Sequence, residues 1–237
     1  MIEMGGYGRA LLVSSQTKGY GSGTGKRHEA VQEAFVRVQE EAARMAGLCR
    51  DTWSRQPRGG GELALLPLGE REPLVVDDFI RSLNSALDAH NATFAKEDHI
   101  RLKVAIHYGV AYPTAHGLAG QAVAEVSRMI DWNPLKDLLE LKETANLILL
   151  LSDRVYTDVV TQGHTTYDPK EFVKVHVQEK EFSGDAWVWA PGENLHGLDI
   201  LARPEPAPPV VSQQVINNLY GAVDARRAVF GVSGIRP

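Results

Sequence analysis

From Ile100 to His107 the chain alternates in character: Ile100, Leu102, Val104 and Ile106 are apolar, and Arg101, Lys103 and His107 are not. Successive residues of a strand point to opposite faces of a sheet, so this stretch reads as a strand with one buried face. The run "NLILLLS" at 146–152 is apolar almost throughout and reads as an internal strand. Elsewhere the period lengthens. Val31, Phe35, Val38, Ala42 and Met45 recur at spacings of four and three, which stacks them along one side of a helix of about twenty residues. Ile80, Leu83, Leu87 and His90 carry the same period through 77–94. The two periods together require a sheet covered by helices.

The remaining segments fill in the order. Residues 9–15, "RALLVSS", form a buried strand that runs to an edge, and the glycine-rich stretch 18–27 forms a turn. Residues 48–53 and 62–67 flank "RGGG" as arms of a hairpin whose link is longer than a two-residue turn needs. Helices are expected over 119–131 and 135–141, with a short one over 153–160. "EFVKVHVQEKE" and "DAWVWAP" alternate again and close the sheet as an antiparallel pair. The class is α+β, a mostly antiparallel sheet flanked by helices. Pro204, Pro206, Pro208 and Pro209 exclude helix and central strand, so they mark a boundary. This divides the chain into a domain over 1–202, a proline-rich linker over 203–210 and a tail over 211–237.

A chain of 237 residues, 43% of them apolar, can bury one substantial core. Its net charge of -5 leaves no basic surplus to neutralise a nucleic-acid backbone, so no nucleic-acid partner is expected. No apolar stretch approaches membrane-spanning length, and the single Cys49 cannot form an internal disulfide. The expectation is a soluble, cytoplasmic protein of bacterial type, with no membrane association and with Cys49 in the core.

Several residues invite a chemical reading. "GSGTGK" fails as a phosphate-binding loop, because that pattern would need a glycine at Tyr20 and a hydroxyl at Arg27. Amides near the following helix start, with Lys18, Lys26 and Arg27 beside them, would still suit an anion; a loop with solvated charges accounts for them equally well. His107 lacks partners at metal-ligand spacing and reads as a hydrogen-bonded structural histidine. Trp187 and Trp189 fall on one face of the closing strand, where packing explains them.

The order of elements, with "VAIHYG", "GQAVAEVSRMID" and "LILLLSDRVY" in sequence, resembles the class III nucleotidyl cyclase domain, whose corresponding motifs read "GIHxG", "GDTVNLAARL" and "ILVSExVY". The resemblance covers roughly residues 8–190. It is nearest to an actinobacterial branch with a hairpin reading "RGDGELALLP" and a first turn Asp-x-Glu-Gly-Tyr-Gly. It implies a ferredoxin-like βαββαβ core, a homodimer with its site between subunits, and two aspartates holding Mg or Mn beside a triphosphate. Those aspartates fall on Gln16 and Gly60 here, and neither residue supplies a carboxylate. The family's Asp and Asn of the helix motif fall on Gln121 and Ala124, and its base-reading lysine near Gln56. Its phosphate-facing arginine is retained as Arg128, which also reads as a plain surface arginine, and Lys180 is a loosely aligned relic of a late-strand lysine.

By this resemblance the residues left to meet a nucleotide are Lys18, Gly19, Gly21, Arg58 and Arg128. The expectation is a catalytically degenerate, cofactor-free regulatory module that binds a nucleotide or a protein partner in a bacterial signalling or conflict system. The alternative is an active cyclase with non-standard metal ligands, for which Glu62 is the nearest candidate and Mg or Mn the cofactor. In a third reading the fold is only a dimeric platform. The terminal "NNLYGAVDARRAVFGVSGIRP" resembles short glycine-punctuated tails of actinobacterial signalling and conflict proteins, which implies an adaptor peptide for a protein partner; a terminal amphipathic or disordered segment is the other account.

Overall fold

The computed structural model describes residues 8–20 and 25–202. The described residues belong to one compact unit. The linker and tail expected over 203–237, and Gly21, lie outside the described residues.

Strand β1 (Gly8–Thr17) leads to helix α1 (Gly25–Met45), then to the hairpin β2 (Ser54–Arg58) and β3 (Gly61–Leu65). A π-turn over Leu74–Phe79 runs into α2 (Ile80–Asn91), and the long β4 (Leu102–Thr114) follows. These elements make the βαββαβ unit, with strands in the spatial order β2-β3-β1-β4. A short β5 (Gly117–Ala119) pairs back on β4, and α3 (Gln121–Asp131) and α4 (Asn133–Leu141) lead to β6 (Leu147–Ser152). Helix α5 (Asp153–Val155) continues as a π-turn over Tyr156–Val160, and β7 (Val173–Glu179) with β8 (Phe182–Trp189) finishes the sheet as β6-β8-β7. Among the described strands every pairing is antiparallel except β4 with β6. The expected α+β class, with a mostly antiparallel sheet flanked by helices, is the observed one.

Alternation along the strands sorts the core into two layers. Leu102, Val104 and Ile106 of β4 pack with α1 and α2 through Phe35, Val38, Leu83 and Leu87. On the other face Ala105 packs with α3 and α4 through Val126, Met129, Leu135 and Leu138. All six residues of β6 are buried because strands flank it on both sides and a core layer lies on each face, which explains its unbroken apolar run. Each of its leucines, fully buried, contributes roughly 1.5–3 kcal/mol relative to exposure.

Several expectations are corrected here. Residues 48–53 are not a hairpin arm: Arg50–Thr52 is a single 3-10 turn, and the true arms close on Gly59 and Gly60, a tight two-residue connection. Met45 is 51% exposed because the buried stripe of α1 continues through Ala42, Ala43 and Ala46 and leaves Met45 beside it, and Cys49 is exposed. The packing expected of Trp187 and Trp189 on one face is observed: Trp187 stacks on Tyr156 at 3.8 Å and donates its indole N–H to Asp153, while Trp189 is buried among Tyr167 and Phe172. No helix among the described residues is long and apolar enough to cross a membrane.

Candidate functional site

Pairing brings the two inferred metal positions side by side. Gln16, near the end of β1, lies opposite Gly61 of β3 on one side and Lys103 of β4 on the other. The hairpin tip is pinned to this end of β1: the Thr17 amide and hydroxyl both donate to the Gly60 carbonyl, at 2.9 and 2.7 Å. Gly61 is required by close approach, since a Cβ there would stand 2.2 Å from the Ser15 carbonyl oxygen.

Gly60 is more than a missing carboxylate. Its φ of 76° lies in the left-handed region, and a Cβ on it would fall 2.3 Å from Cγ of Tyr20. Tyr20 is held there on two sides, its ring stacked on His28 at 4.8 Å and its hydroxyl accepting from Gln32 Nε2 at 2.6 Å. An aromatic ring occupies the space that a side chain at position 60 would need.

Glu62 does not substitute. Strand alternation turns it away from Gln16, toward the face that carries α1 and α2, as it does Ala64 and Leu66. There both carboxylate oxygens take Arg50, at 3.1 and 3.2 Å, and the two side chains are 4% and 10% exposed. The Arg50 guanidinium also lies over the Trp53 ring at 5.3 Å. Magnesium and manganese prefer several anionic oxygens; the residues around Gln16 offer one neutral amide oxygen and no free carboxylate. They do not fit a divalent metal site. Among the described residues no group of three or more His, Cys, Asp or Glu is arranged to hold an ion.

Cationic groups stand there instead. A cleft of about 310 Å³ opens at the end of β1, lined by Gln16, Lys18, Tyr20, Lys103 and Lys136 among others, and by no Asp or Glu. Lys103, 8% exposed, donates to the Ile130 carbonyl at 2.9 Å, and Lys18 reaches the Leu139 carbonyl at 3.5 Å. Both carbonyls belong to the last turns of α3 and α4, where helix dipoles favour positive charge. Burial, then neighbouring Lys136, pushes the Lys103 ammonium below its ordinary pKa, with Asp131 opposing; burial and then Arg101 do the same to Lys18.

Of the residues expected to meet a nucleotide, Lys18 and Gly19 line this cleft, and Arg58 and Arg128 do not. Arg58 donates to Ser127 Oγ at 2.6 Å, fastening the hairpin to α3. Arg128 is paired with Glu181, the residue following the β7–β8 turn at Lys180, through Nε and Nη2 at 3.2 and 2.9 Å. Gln56 accepts from the Leu118 amide at 3.2 Å, so its side chain ties β2 to β5. Gln121 donates to Glu125, whose other oxygen meets His107 Nε2 at 2.8 Å, and burial lowers the His107 pKa against the pull of that carboxylate. Lys26 lines a separate groove between α1 and the end of α2, with Arg37 and Phe94. Lys103 and Lys136 were missed by the sequence reading. Lys103 becomes visible only once β1 is paired with β4, because nothing in its own segment points to Gln16.

No protein-family model and no curated protein matches the chain. Solved structures do. An adenylate/guanylate cyclase/hydrolase from Silicibacter pomeroyi superposes with a TM-score of 0.56 at 15% identity, over 78% of this chain and 98% of that one. The guanylate cyclase domain of RhGC from Catenaria anguillulae, in complex with GTP, gives 0.52 at 14% identity over 78% and 96%. A bacterial light-regulated adenylyl cyclase gives 0.53 at 9% identity over 77% and 90%. The described core therefore has the fold of class III adenylate and guanylate cyclase domains. At these identities the likeness fixes architecture, and the residues of the site stand on their own geometry.

Proposed function

We propose that this chain is a catalytically degenerate nucleotidyl cyclase-like module that regulates by binding a nucleotide or a protein partner, in a bacterial signalling or conflict system. The observation that carries the reading is the plugged hairpin tip, with a left-handed glycine at position 60 and the Tyr20 ring on it. Two divalent cations polarise the reacting oxygens in metal-dependent phosphoryl chemistry, and without carboxylates to hold them the chemistry loses its main source of charge stabilisation. The bidentate Arg50–Glu62 pair removes support from an active enzyme using Glu62.

The test is product chromatography after incubation with each of the four ribonucleoside triphosphates and manganese. No cyclic nucleotide is expected. A cyclic product that scales with protein and disappears in Arg128→Ala would overturn the reading.

The assembly we propose is a homodimer, because the resemblance to class III cyclase domains implies a site shared between two subunits. Light scattering at tens of micromolar is expected to give twice the mass of one chain; a single-chain mass would contradict it. In this reading the tail beyond Pro209 serves as the protein-docking segment.

A further inference from the structure

We propose that the cleft at the end of β1 is an anion site in which lysine ammonium groups take the place of divalent cations, so that it holds a polyphosphate group without metal. The inference rests on the reading of the chain as a ligand-binding module, and it specifies the ligand chemistry and the source of the charge.

The geometry supplies three cations on three different elements. Lys103 rises from β4 on the floor beside Gln16, Lys18 follows β1 at the rim, and Lys136 reaches in from α4. Lys103 uses one of its three N–H donors on the Ile130 carbonyl, and Lys136 has no hydrogen-bond or ion-pair partner among the described residues. Acidic side chains act only from outside the lining: Asp131 on Lys103, and Glu140 and Glu143 on Lys18. The buried Lys103 ammonium, without a bonded carboxylate, is costly to keep charged, and an anion set beside it relieves that cost while also meeting the half-buried Lys18 and the exposed Lys136. The volume, about 310 Å³, is at the lower end for small-molecule sites and suits a di- or triphosphate group.

The same arrangement disfavours metal. A divalent ion entering with a phosphate would meet three like charges, a neutral amide at Gln16, and the Thr17 hydroxyl already donated to Gly60. Magnesium in solution should then compete with the protein for the phosphates instead of bridging to them.

Calorimetric titration of the full chain with inorganic triphosphate, first in EDTA and then in excess magnesium, tests this directly. Binding is expected in EDTA, weakened by magnesium and by added salt. Lys136→Ala, at an exposed position, should lower affinity several-fold, and Lys103→Met at least tenfold, whereas Lys103→Arg keeps the charge and most of the affinity. Melting curves on each variant separate lost binding from lost folding, and Lys136→Ala carries the test if Lys103→Met does not fold. Three outcomes overturn the inference: no triphosphate binding, binding that requires magnesium, or binding that Lys136→Ala and Lys103→Met leave unchanged. If nucleotides bind while inorganic triphosphate does not, the module reading stands and the lysine site falls; a cyclic product would sink the module reading itself.

Discussion

Glu62→Ala is expected to lower the stability of the protein by about 3–5 kcal/mol, the usual cost of leaving one partner of a buried ion pair uncompensated. Arg50 is 4% exposed, it takes both oxygens of Glu62, and its remaining Nε has no acceptor, so removing the carboxylate strands a guanidinium inside the core. The charge pair is not itself a strong source of stability, since two ions must first be stripped of water. Replacing both together, as Arg50→Met with Glu62→Leu, should therefore recover most of the loss. Urea unfolding of the single and double variants measures both quantities. A Glu62→Ala variant within about 0.5 kcal/mol of the parent, the range of ordinary surface substitutions, would show that the pair is not the buried clamp described here. The experiment also separates two roles for this residue, because a metal carboxylate would affect ion binding and leave the melting curve nearly alone.

What the sequence conveyed about the fold follows from how each signal is written. The alternation of β4 and the unbroken apolar run of β6 are dictated by burial on one face and on two, and both strands fall where the pattern puts them. Residues 48–53 misled because buried Leu48 and Trp53 resemble a strand's inward residues, while the intervening turn packs them from a non-repeating backbone. An arm set at 48–53 makes the hairpin link long, whereas the true arm at Ser54–Arg58 leaves only Gly59 and Gly60 between the strands. Cys49 sits between buried Leu48 and buried Arg50, and in such a turn neighbouring residues follow no period that would reveal which of them is exposed.

The site was legible in what it lacked and not in what replaced it. The motif register alone points to Gln16 and Gly60, and the pairing of β1 with β3 puts those two positions at one end of the sheet. Tyr20 occupying the place of a side chain at position 60 is a contact between two loops, and no local pattern encodes it. The same holds for Lys103 and Lys136, brought to one cleft by a strand pairing and a helix packing that lie far apart in sequence. The resemblance points to Arg58 and Arg128 for a nucleotide, yet each already has a partner, in Ser127 and Glu181.

Restoring both aspartates should not restore the metal site. In Gln16→Asp with Gly60→Asp, the second substitution forces a side chain onto a backbone with φ of 76°, at a cost of about 1–3 kcal/mol for a non-glycine residue in that region. Its Cβ would also lie 2.3 Å from Cγ and 2.4 Å from Cβ of Tyr20. These atoms are at the root of the tyrosine, so a change of rotamer cannot clear them and the loop backbone must move, losing the stack on His28 and the bond from Gln32. Each kcal/mol lost should lower the melting temperature by about 2–4 °C in a domain of this size. Metal affinity gains little in return, because a carboxylate at position 16 lies in the cleft with Lys18 and Lys103, which neutralise it in place of manganese, while one at position 60 is directed at Tyr20. Calorimetry with manganese should detect no binding below the millimolar range in the double variant, and chromatography no cyclic product. Adding Tyr20→Ala should recover part of the stability by opening the space, while the lysines still hold the carboxylates. Micromolar manganese binding with cyclic product in the double variant alone would show that the two missing side chains were the whole of the loss, and that the tyrosine plug and the lysine cluster had no part in it.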